Sequence, residues 1–98
     1  MLFQIDYRVF ETNRGDALRA FGSLTQEQLE SLLADHGVTL VGRWHSLGDG
    51  TGTMIVETDD FNKCSQFQLA WAEVCDTKVK PVMADVPLRE AIQEHFLQ

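Results

Sequence analysis

Four stretches of this chain alternate apolar and polar residues with a period of two, and helical stretches fall after the first and after the third. A period of two sends successive side chains to opposite faces of a strand, so this order admits few folds. Residues 2–10, LFQIDYRVF, put Phe3, Ile5, Tyr7 and Val9 on one face and Gln4, Asp6 and Arg8 on the other. Residues 38–47, VTLVGRWHSL, divide into Val38, Leu40, Gly42 and Trp44 against Thr39, Val41, Arg43 and His45. Residues 53–58, TMIVET, predict a third strand, and Gly48-Asp-Gly-Thr-Gly52 lies between two strands, where a hairpin turn outweighs a phosphate cradle. Residues 75–83, CDTKVKPVM, set Cys75, Thr77 and Val79 against Asp76, Lys78 and Lys80, and Pro81 puts that strand at a sheet edge or at its own end.

Between the first two strands the apolar spacing changes to three and four residues. Asn13 offers a cap for a helix carrying Ala17, Leu18 and Phe21, with Gly22 as its stop. Thr25 and Gln28 then fit a capping box, and Leu24 and Leu29 fit the hydrophobic staple around it. The spacing therefore predicts two short helices over 13–21 and 26–36. Thr58-Asp59-Asp60 supplies capping oxygens for a third helix whose inner side carries Phe61, Cys64, Phe67 and Trp71. Pro87 opens a last helix with Leu88, Ala91, Ile92 and Phe96 as its stripe.

The order is β-α-β-β-α-β with a terminal helix, and right-handed crossovers make it a split βαβ. We expect one α+β domain over residues 1–98, ferredoxin-like, with a four-stranded antiparallel sheet in the order 4-1-3-2 and helices on one face. The open face then carries Gln4, Asp6 and Arg8, Val41, Arg43 and His45, Thr53, Ile55 and Glu57, and Lys78 and Lys80. Charges of both signs among a few apolar groups suit a wet cavity between two subunits or a polar dimer interface.

Eight Lys and Arg against fifteen Asp and Glu give a net charge of −7. That balance argues against nucleic-acid or anionic-membrane partners. No apolar run approaches the roughly 20 residues of a membrane span, and the N-terminus lacks a signal peptide's basic start. Cys64 and Cys75 read as reduced thiols of a cytoplasmic protein, with a disulfide between them as the alternative. No motif calls for a cofactor or a metal; His45, Glu57 and Asp6 would converge on an ion only if the strand registers allowed it.

Each candidate site residue has two readings. His45 is a general base or ligand anchor, with an ordinary pKa near 6.5, or a histidine holding a carboxylate in an interface. Arg43 binds an anionic ligand or pairs with Glu57 across the strands, and the ion pair is favoured; Asp6 and Arg8 invite the same cross-strand pairing. Trp44, opposite in parity to Arg43, belongs in the core under the helices, and Tyr7 shares the inner face.

At Gly42-Arg43-Trp44-His45 the chain resembles the domain of unknown function 3303 family. The likeness continues through Val56-Glu57-Thr58-Asp59-Asp60, Trp71 and Val79-Lys80-Pro81-Val82, with the opening strand and Asn13-Arg14. Ser23 to His36 is longer and more helical than the resemblance implies. The family is similar to dimeric α/β-barrel proteins, in which two ferredoxin-like sheets pack face to face, so the resemblance implies a homodimer and no particular reaction. Three functions follow as expectations. The first is a cytoplasmic homodimer that binds a small, anionic ligand or a partner at the sheet face through Arg43, His45, Glu57, Asp6 and Arg8. The second is a cofactor-free monooxygenase or isomerase with His45 as base and Arg43 as substrate anchor. The third is a regulatory or scaffolding module using residues 23–36 or the last helix.

Overall fold

The computed structural model of the protein describes residues 1–97. Its strands are β1 (Leu2–Val9), β2 (Thr39–Ser46), β3 (Thr51–Glu57) and β4 (Cys75–Val82). Its helices are α1 (Arg14–Ser23), α2 (Gln26–Ala34), α3 (Phe61–Trp71) and α4 (Asp85–Phe96). The sheet order is β2-β3-β1-β4, with every pair antiparallel. This is the ferredoxin-like α+β arrangement that the order of periodicities predicts, and β4, with Pro81, lies at an edge.

Local chemistry accounts for most element ends. The Thr25 hydroxyl accepts from the Gln28 backbone N–H at 3.1 Å, and the Gln28 side chain accepts from the Thr25 backbone N–H at 2.8 Å. This reciprocal box starts α2. The Asp60 carboxylate accepts from the Asn62 N–H at 2.9 Å and starts α3. Gly50 takes the left-handed conformation, φ +69°, that closes the β2–β3 hairpin. Two expected ends differ. Asn13 makes no capping bond with its side chain, because a 3₁₀ turn at Glu11–Asn13 leads into α1. Gly22 does not stop that helix, which runs through it to Ser23.

The core occupies one end of the space between sheet and helices. Phe3 and Ile5 of β1, Met54 and Val56 of β3, Leu33 of α2, Val38, and Cys64 and Phe67 of α3 form it. α1 contributes no buried residue, and its Leu18 and Phe21 are 52 % and 40 % exposed. Every residue of α4 is exposed. The radius of gyration, 15.7 Å, accordingly exceeds the roughly 13 Å of a compact chain of this length.

One departure reassigns a whole strand. Leu40 pairs with Val56, but Gly42, not Val41, pairs with Ile55. Val41 is therefore an extra residue, a β-bulge, and every side chain after it changes face. Arg43 and His45 turn toward the helices and Trp44 turns away from them. Expecting Arg43 and His45 on the open face, and Trp44 in the core, is thus incorrect. Trp44 is 60 % exposed, and its indole lies against Gly42 on the open face.

The capping box gives a first prediction. Thr25→Ala removes an N-cap acceptor and should lower stability by about 1 kcal/mol, read as a shift in the urea midpoint at unchanged slope.

Candidate functional site

With the bulge in place, the helix side of the sheet is built of cross-strand rows. One row is Leu40, Val56, Phe3 and Pro81; the next is Arg43, Met54, Ile5 and Val79; the next is His45, Gly52, Tyr7 and Thr77. Phe3, Ile5, Met54 and Val56 fill the first two rows with core. The third row is polar and lies where the helical layer is loose. There the two layers leave an open-sided cavity of about 350 Å³. Ala17, Leu18 and Phe21 of α1, Leu29 and Leu32 of α2, and Trp71 of α3 wall it, with Tyr7, Arg43 and His45 on the sheet side and Arg14 at the start of α1. A volume of roughly 300 Å³ and upward is what small-molecule sites offer.

The polar residues form one connected set. Tyr7 and His45 stand on strands separated by β3, yet the Tyr7 hydroxyl and His45 Nδ1 share a hydrogen bond. Gly52 is the reason. It sits between them in the row, and a Cβ there would overlap the phenol ring and its oxygen. Phe21 closes the set from above: its ring centroid is 4.8 Å from that of His45, and the Arg43 guanidinium lies 5.8 Å over the same ring. That distance is in the range of a cation–π contact.

Protonation follows from the surroundings. Loss of water pushes the His45 pKa below 6.5, and the nearby Arg43 cation pushes it the same way. Burial raises the Tyr7 pKa, opposed by Arg43. Both shifts keep the pair neutral at pH 7, so the phenol donates and Nδ1 accepts. Burial lowers the Arg43 pKa and Tyr7 raises it, but a guanidinium remains a cation. Its Nε is shielded from water with no hydrogen-bond partner, as is Nε of Arg14. Arg14 does donate through Nη2 to the Asp49 carbonyl, at 3.2 Å.

The remaining sequence candidates stay on the open face. Asp6 accepts from the Thr53 hydroxyl and from the Gln4 amide, the latter at 3.0 Å. Its pKa is lowered first by Thr53, then by Gln4, with smaller help from Lys80 and Lys78 against burial. Glu57 pairs at 3.1 Å with the Met1 α-amino group. The expected Arg43–Glu57 pair is therefore not formed: the bulge puts the two on opposite faces. The expected cross-strand ion pairs of Asp6 and Arg8 are not formed either: Thr53 and Gln4 hold the Asp6 carboxylate, and none of the ion pairs among the described residues includes Arg8. Arg8 faces Thr51 and Asp76 across the strands. Cys64 and Cys75 are both buried and unpaired, and burial raises both thiol pKa values. Among the described residues no group of His, Cys, Asp and Glu is placed to hold a metal. None of their helices is long and apolar enough to cross a membrane.

Sequence reasoning set Tyr7 aside as an inner-face residue, and Phe21 and Arg14 as parts of a helix and its start. The available signal was glycine within strands. Gly42 marks the bulge, and Gly52 marks the close approach that joins Tyr7 to His45.

Fold and cavity define a small ferredoxin-like domain with an apolar pocket between its helices and its sheet. The family model described as Domain of unknown function (DUF3303) matches residues 1–96, and the chain belongs to that family. None of the curated proteins matches it.

Two predictions follow from the row of His45, Gly52 and Tyr7. Gly52→Ala should displace Tyr7 and cost about 1–3 kcal/mol by overpacking, with loss of the His45–Tyr7 contact in NMR spectra. The second concerns His45. Above pH 6.5 its imidazole is neutral folded or unfolded and contributes nothing to pH dependence. As pH falls, the unfolded chain takes the proton first, so stability is lost down to the lowered folded value. In an NMR titration His45 should titrate below 6.5, and Arg43→Met should move it back up toward that value.

Proposed function

We propose that this domain is a binding protein, a cytoplasmic homodimer that takes up a small, largely apolar molecule in the cavity under α1. The observation that carries the reading is the cavity itself: Leu18, Leu32, Phe21 and Trp71 surround space that no side chain among the described residues fills. The reading takes the helix side, where the bulge turns Arg43 and His45, in place of the sheet face, where Asp6, Arg8 and Glu57 remain. A reducing compartment is supported by the two buried, unpaired cysteines. Pairing with a second copy is supported by the open face, where Trp44 is exposed beside the half-buried Ile55, and by the family resemblance. Light scattering should then give twice 11.1 kDa, and Trp44→Glu should halve it; a monomer at micromolar concentration overturns the dimer.

The Tyr7–His45 hydrogen bond favours a second reading, cofactor-free proton-transfer catalysis with His45 as base. Binding is the better supported of the two. Partial desolvation and the Arg43 cation lower the His45 pKa and make it a weaker base.

A thermal-shift panel of small aromatic and aliphatic molecules tests the pocket. A ligand at ten times its Kd adds about 1.4 kcal/mol, a rise of roughly 6–11 °C in Tm for a chain of this size. Ala17→Trp, which fills the cavity from α1, should keep the fold and abolish the shift. A shift that survives in this variant places binding elsewhere and sinks the reading.

A further inference from the structure

We infer that the molecule held in the cavity carries a carboxylate, and that Arg43 receives it. This rests on the pocket reading and specifies its ligand. The charge around the cavity runs against that of the chain. Fifteen Asp and Glu outnumber eight Lys and Arg overall, yet two arginines and no acidic residue line this space. The Arg43 guanidinium is half-buried, and its Nε is out of reach of water with no partner. None of the ion pairs among the described residues includes it. The acids on the neighbouring strands are turned to the other face, where Asp6 is held by Thr53 and Glu57 by the Met1 amine.

A partly desolvated cation without an anion carries a cost in an apolar wall. What this chain does contribute is the face of Phe21, 5.8 Å from the guanidinium carbon, which orients the charge without neutralising it. The other charged and titratable groups lining the cavity are Arg14, Tyr7 and His45, with the Cys75 thiol buried. Arg14 is engaged by the Asp49 carbonyl and Tyr7 by His45. Of the two arginines only Arg14 has a hydrogen-bond partner among the described residues, so Arg43 is the freer cation for a ligand, and one planar guanidinium matches one planar carboxylate. A phosphate, with up to two charges, would leave one of them unmatched by the single guanidinium of Arg43. The walls of leucine, phenylalanine and tryptophan require that the carboxylate ride on an apolar body, aromatic or a short aliphatic chain.

Matched pairs separate the head group from the body. Benzoate, 2-naphthoate and octanoate are titrated calorimetrically against the full chain at pH 7.5, beside their primary amides. The acids should bind tenfold or more tightly than the amides. Arg43→Met should remove that preference while amide binding persists, and Arg43→Lys should retain part of it. Acids and amides binding the wild type equally overturn the inference and leave the pocket reading standing. An acid preference that survives Arg43→Met overturns the role of Arg43. Failure of every acid and every amide to bind overturns the pocket reading, and the inference with it.

Discussion

The side chains of β2 depend on one extra residue. Val41 and Gly42 together face Ile55, and the pleat beyond them is inverted. Without that bulge Trp44 would enter the space under α1, where an indole would occupy much of the cavity. Arg43 and His45 would then share the open face with Asp6 and Lys78. With it, the bulky group goes out and two polar groups come in. Tyr7 reaches His45 only across a residue with no side chain, so Gly52 and the bulge cooperate. The polar floor of the cavity therefore rests on backbone features of β2 and β3 rather than on any single charged pair.

The helical layer has a division that matches. α2 and α3 anchor it through Leu33, Cys64 and Phe67, which are buried. α1 is held less firmly, with no buried residue of its own. A helix in that position, over a cavity and with few apolar contacts, belongs to the low-stability end of a fold, from which ligand-binding elements are drawn. The net charge of −7 describes mainly the outer surface and the helix ends. Inside the cavity the balance is reversed, with Arg14 and Arg43 facing no acid.

Much of the architecture was legible in the sequence. The alternation in β1, β3 and β4, the capping box at Thr25 and the cap at Asp60 are local signals, and tertiary structure left them intact. Strand order followed from handedness and the hairpin. The faces of β2 were not legible by alternation alone, because a run such as Val41-Gly42-Arg43-Trp44-His45 alternates equally well in either register. Where an inserted residue falls is decided by pairing with β3, a non-local matter. The isolated Gly42 was the local hint. The cavity was hidden for a related reason: apolar periodicity shows which side of α1 turns inward and not whether the space beneath it is filled. The ion pairs expected for Arg43 and Asp6 failed because faces and hydroxyl partners, not charge alone, decide pairing.

That His45 and Arg43 face the helices has a direct test. Nuclear Overhauser contacts are measured between the aromatic rings of the full chain in solution. The His45 ring should show contacts to both Phe21 and Tyr7, whose centroids lie 4.8 and 5.8 Å away, and the Trp44 indole none to Phe21. Contacts from Trp44 to Phe21, with His45 showing none to either ring, would contradict it and return β2 to an unbulged register.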